Sequence, residues 1–398
     1  MIAPTMPTSE ITEIEQLKAI VSPEQDLLLC CARTYIDRET SERIKILLSK
    51  NLNWQYLFQV AQQHAVTPLF YWNLKAVCPE IVPPERLQEL RDFFRFNSQR
   101  NLSFARELIR LLQLFADQKI PVIPYKGLVL AASAYGNLAL RQMADLDILV
   151  REKDLSRAMD LLRSQGYELT FQLPWEYHFT KPNSLHNIDL HCPFFSEVVF
   201  AFPDPELAWQ NLESFSLAGA TLPNLTPEMT ILILSLNANK DCWDRLGQVS
   251  DVAALIRATP NLNWEQLIKQ QTALGSERIV FLGLFLAKTL LDAPIPKKVW
   301  QQIQCDPVVS DLAVQVIHQL FSEIPIAGLD RFIFQIRVRE RFQDRIKLFW
   351  KWMQPHKIDN ELFPLPNFLS WLYYLFRPIR LLWKHGLHNA IKLGSWIK

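Results

Sequence analysis

Residues 124–150 read PYKGLVLAASAYGNLALRQMADLDILV, and residues 186–194 read HNIDLHCPF. Alternate side chains of a β-strand point to the same face of a sheet. In the run ADLDILV (residues 144–150), this alternation places Asp145 and Asp147 on one face. Leu146 and Ile148 then point to the opposite face, towards the core. The sequence therefore predicts a strand that carries two convergent carboxylates.

A second acidic strand is predicted over residues 187–192, where Asp189 and His191 share a face by the same alternation. Converging carboxylates repel each other unless a cation lies between them, and a hard ion such as Mg²⁺ prefers oxygen ligands. We therefore predict that Asp145, Asp147 and Asp189 form a catalytic, metal-binding set for Mg²⁺ or Mn²⁺. For the D-x-D pattern taken alone, two solvated acids at a strand end are the alternative.

A phosphate-binding turn is predicted between these acids and the preceding strand. Residues 120–125 are short, apolar and rich in β-branched side chains, which is typical of a buried strand. Lys126 and Gly127 close this strand, and a helix of small residues is predicted over residues 128–135. Free main-chain N–H groups at a helix start favour phosphate, and Lys126 adds a point charge.

Further strands over residues 177–181 and a helix over residues 152–165 complete the predicted unit. Scarce glycine and amphipathic spacing elsewhere predict helices on both sides of it. The fold class is thus an α/β core, a small mixed sheet with helices, embedded in a predominantly helical chain. Four divisions are predicted. They are an N-terminal helical region (residues 1–100), the α/β core (101–225), a helical region that closes the nucleotide cleft (226–330) and a basic-aromatic C-terminal helical segment (331–398).

The motifs resemble the uncharacterised nucleotidyltransferase family of the polymerase-β-like nucleotidyltransferase superfamily. The resemblance covers roughly residues 50–290 and rests on a Lys-Gly turn, a Tyr, an Arg, an Asp-x-Asp strand and a later Asp-Leu-His. It is carried here by Lys126, Gly127, Tyr135, Arg141, Asp145, Asp147, Asp189 and His191. Downstream, Lys240 and Asp251 also match, whereas Asn237 stands where the family commonly has a His.

The resemblance implies transfer of a nucleoside monophosphate from an NTP such as ATP to an acceptor, with Mg²⁺ and release of pyrophosphate. Asp145 and Asp147 would hold the metal, and Asp189 would complete the metal site and act as base or orienter for the acceptor. The acceptor classes left open are a small molecule, a peptide, a protein and RNA. The residues expected to bind the nucleotide are Lys126, Gly127, Arg141, Lys240 and Asp251.

Several of these residues have simpler explanations. Arg141 is as well explained by an ion pair as by a phosphate contact. Lys240 and Asp251 are nearly as well explained by pairing on helix surfaces. For the whole chain, two rival functions remain: a D-x-D glycosyltransferase, and a catalytically silent binding or scaffold protein that keeps the fold.

Charge and apolar runs bear on location. The net charge of +1 provides no global attraction for nucleic acid, and no run is a convincing transmembrane span. The start of the sequence is unlike a signal peptide and the cysteines lack CxxC pairing, so a cytoplasmic protein is expected. The basic-aromatic C-terminal segment is a candidate to contact a polyanion or a membrane surface, although Glu340 and Asp344 favour a solvated, salt-bridged helix.

Overall fold

The computed structural model describes residues 21–192, 205–322, 326 and 328–354. The chain divides into two compact units, Met1–Pro325 and Ile326–Lys398. The sheet, the acidic strands and the helices that surround them all belong to the first unit.

Helices occupy the first hundred described residues. They are α1 (Pro23–Cys31), α2 (Arg38–Leu48), α3 (Trp54–Gln63), α4 (Thr67–Val77) and α5 (Pro84–Asp117). Side chains of Ser22, Asp37 and Asn53 cap the first three by accepting hydrogen bonds from main-chain N–H groups. The 34-residue helix α5 runs continuously through residue 100, the predicted boundary of the α/β core.

Five strands form one mixed sheet in the order β1-β2-β5-β4-β3. Strands β2 and β5 are parallel, and every other neighbouring pair is antiparallel. The predicted small mixed sheet within a mainly helical chain is confirmed. The strands are β1 (Val122–Pro124), β2 (Leu146–Val150), β3 (Glu168–Leu173), β4 (Glu176–Thr180) and β5 (Asn187–His191).

Two helices connect the strands, α6 (Gly127–Ser133) and α7 (Leu155–Ser164). One buried cluster joins Leu146 and Ile148 of β2 with Ile188 and Leu190 of β5 and with apolar side chains of α5, α6 and α7. These four strand residues are at most 2% exposed. Because they alternate with the acidic residues along each strand, the acids lie on the face of the sheet opposite this core.

After the sheet come a two-stranded hairpin and six helices. The hairpin consists of β6 (Glu213–Leu217) and β7 (Ala220–Asn224), joined through Ala218 and Gly219, which both have positive φ. The helices are α8 (Pro227–Lys240), α9 (Leu246–Ala258), α10 (Trp264–Leu274), α11 (Glu277–Leu291), α12 (Lys297–Gln304) and α13 (Pro307–Leu320).

The second unit contains α14 (Gly328–Arg337) and α15 (Phe342–Met353). Phe332 of α14 stacks on Trp352 of α15 with ring centroids 4.3 Å apart. Of the predicted basic-aromatic C-terminal segment, residues 355–398 lie outside the described part of the chain. Across the described part of the chain, the length and apolarity of each helix fall short of what crossing a membrane requires.

Candidate active site

Two acidic side chains meet because β2 and β5 are parallel neighbours. The pairing sets Asp147 directly opposite Asp189. One ligand atom from each of Asp147, Asp189 and His191 lies within 4.8 Å of the other two. His191 Nε2 is 3.2 Å from Asp147 Oδ1, a hydrogen-bonding distance. The structure thus makes the two predicted acidic strands neighbours, and it places His191 of β5 beside the two aspartates.

Asp145 lies immediately before β2 and lines the same cleft. Burial, followed by the negative charges of Asp147 and Asp189, raises the pKa of Asp145 to about 7. Burial and the charge of Asp147 also raise the pKa of Asp189. Asp145 is not one of the three residues whose ligand atoms lie within 4.8 Å of one another. The cleft therefore concentrates three carboxylates that repel one another.

Lys126 is the cation that contacts this group. Its Nζ lies 3.2 Å from Asp147 Oδ1 and 3.3 Å from Asn237 Oδ1. Burial acts to raise the pKa of Asp147, but the charge of Lys126 and a hydrogen bond from His191 outweigh it and hold that pKa well below its usual range. Asn237, which stands where the resembled family commonly has a His, serves here as an acceptor for the Lys126 ammonium group.

The main chain at the Lys126-Gly127 turn is unusual. Lys126 has φ of 53° and Gly127 has φ of 28°, both in the region that L side chains rarely adopt. A Cβ built on Gly127 would come no closer than 3.6 Å to any neighbouring heavy atom, the carbonyl oxygen of Asp145. The glycine is thus required by backbone conformation, because the space around it would accommodate a methyl group.

Asp189 has a further partner that the sequence reasoning missed. His178 of β4 lies opposite Asp189 in the antiparallel pairing with β5, and its Nδ1 shares a hydrogen bond with Asp189 Oδ1. Residue 178 falls inside a strand that the sequence predicts, but the identity of its neighbouring strand depends on sheet order. Alternation alone therefore carried no signal for this contact.

Helix α5 holds the loop that precedes β2. Asn97 Nδ2 donates to the carbonyl oxygens of Ala139 and Arg141, at 2.9 and 3.2 Å. Asn101 Nδ2 also donates to the Arg141 carbonyl, at 2.9 Å, and Arg100 donates to the carbonyl of Met143. Positions 97, 100 and 101 lie on one helical face, so a single element positions the backbone that leads to Asp145.

Arg141 and Asp251, both predicted to bind nucleotide, form an ion pair with each other. Arg141 Nε and Nη2 each lie 2.8 Å from a different carboxylate oxygen of Asp251. Tyr135 Oη donates to the same carboxylate at 2.7 Å. Both charged residues also line the cleft. The structure therefore places them beside the acids, with their charges directed at one another.

The start of α9, which carries Asp251, is held against the end of α3. The N–H of Leu246 donates to His64 Nδ1 at 3.2 Å, and the N–H of Gly247 donates to the His64 carbonyl at 2.9 Å. A Cβ on Gly247 would lie 2.8 Å from that carbonyl oxygen. Such a distance requires the backbone to shift, so glycine permits the close approach of these two segments.

The cleft that contains the acids has a volume of about 360 Å³. Its lining includes Lys126, Lys240, Arg141, Asp251 and the three aspartates. Gly127 directly follows the lining residue Lys126, and the Gly127 carbonyl oxygen lies 3.5 Å from Arg141 Nη1. Sequence reasoning did not mark several other polar lining residues, which carried no motif of their own: Arg100, Gln142, Glu176, Asp241, Arg245 and Gln248.

The donor set fits a hard divalent cation. Carboxylate oxygens of Asp147 and Asp189 are the ligand type that Mg²⁺ and Mn²⁺ prefer, and Asp145 adds a third carboxylate to the cleft. His191 Nδ1 is buried and has no hydrogen-bond partner among the described residues. A cation would relieve the repulsion that raises the pKa of Asp145 and Asp189.

Solved structures that resemble part of this chain do so at low sequence identity and with low TM-scores. The antibiotic-resistance factor ANT(2″)-Ia, solved in complex with adenylyl-2″-tobramycin, is 13% identical, with 44% of this chain and 98% of that chain covered and a TM-score of 0.35. The lincosamide antibiotic adenylyltransferase LnuA, lincomycin-bound, is 16% identical over 38% and 94%, at 0.30. An antigenic nucleotidyltransferase-like protein from Paracoccidioides brasiliensis is 15% identical over 51% and 97%, at 0.33.

Curated proteins gave no match to this chain. A family model, that of the uncharacterised nucleotidyltransferases, matches residues 50–292. This range contains the acidic strands, the Lys126-Gly127 turn and the helix that carries Asp251. It also exceeds half of the 398 residues. The chain therefore belongs to the uncharacterised nucleotidyltransferase family, and it is a nucleotidyltransferase.

Proposed function

We propose that the protein transfers a nucleoside monophosphate from an NTP, ATP first among the candidates, to an acceptor hydroxyl, with Mg²⁺ or Mn²⁺ and release of pyrophosphate. The observation that carries this proposal is the meeting of Asp147, Asp189 and His191 within 4.8 Å on neighbouring parallel strands. Asp145 and Lys126 add the further carboxylate and the cation that the same cleft presents.

Asp145, Asp147 and Asp189 are the residues that would hold the metal. When bound, a divalent cation neutralises charge on phosphate oxygens and lowers the pKa of a hydroxyl group. Asp189 would accept the acceptor's hydroxyl proton on a carboxylate oxygen. The acceptor oxygen then bonds to the α-phosphorus, the bond to the bridging oxygen breaks, and pyrophosphate leaves with that electron pair.

Lys126 and Lys240 are the side chains we propose for the triphosphate. Lys126 Nζ is already held beside the acids by Asp147 and Asn237. Gly127 provides the backbone turn that places Lys126 there. Arg141 and Asp251 pair with each other and line the wall of the cleft. We propose that they also contribute to nucleotide binding.

The experiment that tests this function is incubation of the purified protein with each α-³²P-labelled NTP, Mg²⁺ and a cell extract, followed by identification of the labelled acceptor. A small molecule, a peptide, a protein and an RNA end separate readily by size and by nuclease or protease digestion. The cytoplasmic location predicted from the sequence makes a cytoplasmic extract the first choice of acceptor source.

Asp147→Asn should reduce labelling by at least about a hundredfold, because it removes a carboxylate charge that would hold the metal. Asp160→Asn is the matched control, since the Asp160 side chain is 69% exposed on α7, in an ion pair with Arg163. Equal labelling by the Asp147→Asn protein would refute the proposal. Metal-dependent NTP binding without any product would favour a silent binding protein, and turnover of a nucleotide sugar alone would favour a glycosyltransferase.

A further inference from the structure

The two units of the chain carry opposite charge. Residues 326–398 contain 13 Lys and Arg residues against 5 Asp and Glu, whereas residues 1–325 contain 29 against 36. The net charge of +1 for the whole chain therefore conceals a strongly basic C-terminal unit. A charge distribution of this kind concentrates attraction for anionic partners in one part of the protein.

Helix α15 in this unit exposes four large apolar side chains. The exposed fractions are 72% for Phe342, 40% for Ile346, 45% for Phe349 and 60% for Trp350. At about 100° of rotation per residue, these four positions fall on one side of the helix. No residue of α15 is buried. A continuous apolar stripe of this kind, which we call the α15 stripe, marks an interaction surface rather than a face adapted to water.

Basic residues border the α15 stripe on both sides. On the helical circumference Arg345 lies beyond one edge and Lys347 beyond the other, whereas Lys351 lies nearly opposite the centre of the stripe. The Lys347 side chain is 57% exposed, and its Nζ lies 4.0 Å from Asp344 Oδ1. Trp352, on a different side of the helix, stacks on α14. Arg345 Nε donates to the Arg339 carbonyl oxygen at 2.7 Å, so the Arg345 side of α15 contacts the segment after α14, whereas the stripe and Lys347 are exposed.

We propose that α15 binds the surface of a membrane rich in anionic phospholipids. The helix would lie in the plane of the interface, with the α15 stripe among the acyl chains and the basic borders at the phosphate headgroups. Its 12 residues span roughly 18 Å, less than a bilayer's hydrocarbon core, so the helix suits binding along the surface rather than crossing.

Two features favour lipid over nucleic acid. The stripe combines aromatic rings with the aliphatic Ile346, whereas single-stranded nucleic acid is held mainly by stacked aromatic rings above a charged groove. In addition, residues 368–384 read FLSWLYYLFRPIRLLWK, so the aromatic and basic composition continues along the sequence. Large apolar residues joined to Lys and Arg are typical of segments that bind membrane interfaces.

The test is flotation of the full-length protein with lipid vesicles. Vesicles of about 70% phosphatidylcholine and 30% phosphatidylserine should carry the protein to the top of a gradient, and pure phosphatidylcholine vesicles should carry much less, because the basic borders require an anionic surface. Raising the salt concentration to about 0.5 M should weaken the flotation, since counterions screen this attraction.

Phe342→Ser combined with Trp350→Ser should lower the partition coefficient at least about tenfold, because both apolar anchors are removed. Neither side chain is buried, so circular dichroism should be unchanged. Phe96→Ser combined with Phe171→Ser is the matched control, as those side chains are 54% and 55% exposed in the first unit. Lys347→Gln should lower partitioning about fivefold.

Four results would overturn the proposal. The stripe variant could float as well as the unaltered protein, or neutral vesicles could bind as strongly as anionic ones. Binding of a poly-uridine oligonucleotide in place of vesicles would assign the surface to nucleic acid. Self-association in analytical ultracentrifugation that the stripe variant abolishes, without vesicle binding, would assign the α15 stripe to a second copy of the chain.

Discussion

Asp189 is oriented by a side chain from the next strand of the sheet. His178 Nδ1 bonds Asp189 Oδ1, and the His178 side chain is 30% exposed while that of Asp189 is 13% exposed. A hydrogen bond to one carboxylate oxygen restricts rotation of the whole group and leaves the second oxygen to face metal or acceptor. We therefore treat His178 as a positioning residue for Asp189.

Replacing His178 with Ala should lower kcat roughly 10–100-fold, because the Asp189 carboxylate loses its orientation. The Kd for NTP should change less than about twofold, since His178 does not line the cleft. His178→Asn, which retains a donor, should recover part of the loss.

His186→Ala is the control for this experiment, because the His186 ring bonds Ser103 and Ser184 away from the acids. Steady-state kinetics and equilibrium dialysis provide the two readouts. Full turnover by the His178→Ala protein would contradict a positioning role.

At the scale of elements, the Arg141–Asp251 pair connects the segment before β2 to helix α9. The Arg141 and Asp251 side chains are 16% and 9% exposed, and their two contacts are bidentate. Burial alone would lower the pKa of Arg141, but the charge of Asp251 and its hydrogen bonds raise it above the ordinary value. The guanidinium therefore remains charged and depends on Asp251 for compensation.

Asp251→Ala should lower the free energy of unfolding by about 3–5 kcal/mol, because it leaves a buried guanidinium without its partner. Urea denaturation provides the measurement. The matched control is Asp160→Ala, in a pair whose side chains are 49% and 69% exposed, with an expected loss below about 1 kcal/mol. Unchanged stability with weakened NTP binding would instead show that Asp251 acts mainly on the nucleotide.

At the scale of the whole molecule, the three carboxylates of the cleft make stability depend on pH. Burial and the charges of Asp147 and Asp189 raise the pKa of Asp145 to about 7 from its ordinary value of 3.8. A carboxyl with a raised folded-state pKa stabilises the fold below its unfolded pKa, and this contribution is lost as pH rises through the folded pKa. Without metal, the contribution of Asp145 to stability should therefore be lost between about pH 4 and pH 7.

Asp145→Asn should remove this part of the pH dependence. At pH 8 in EDTA, the variant should be more stable than the unaltered protein by about 2 kcal/mol, because one buried negative charge is gone. Added Mg²⁺ should reduce the difference, since it stabilises only the protein that retains the full set of acids. Thermal unfolding with and without Mg²⁺ tests this, and a variant less stable than the unaltered protein in EDTA would contradict it.

Local periodicity was enough to predict the two acidic strands and their buried faces. Alternation in residues 144–150 and 187–192 predicts which side chains face the core, and Leu146, Ile148, Ile188 and Leu190 are indeed buried there. The fold class and the nucleotidyltransferase family were likewise predicted and confirmed. Such features depend on neighbouring residues along one segment, so the sequence expresses them directly.

Strand β3 and the β6–β7 hairpin were not predicted. Strand β3 lies at the sheet edge and most of its residues are exposed, although Leu169, Phe171 and Leu173 alternate with polar residues along it. The β6–β7 hairpin turns through Ala218 and Gly219 rather than through the Asn-Gly or Asp-Gly pair that usually marks a two-residue turn.

The sequence by itself determined that Asp147 and Asp189 each lie on the face of their own strand opposite the apolar core residues. Only the tertiary structure decided which strands are neighbours, and hence that Asp147 lies opposite Asp189, that His178 bonds Asp189 and that Arg141 pairs with Asp251. The physical reason is sequence separation: Arg141 and Asp251 are 110 positions apart, and contacts over such distances arise from packing of whole elements rather than from the preferences of adjacent residues.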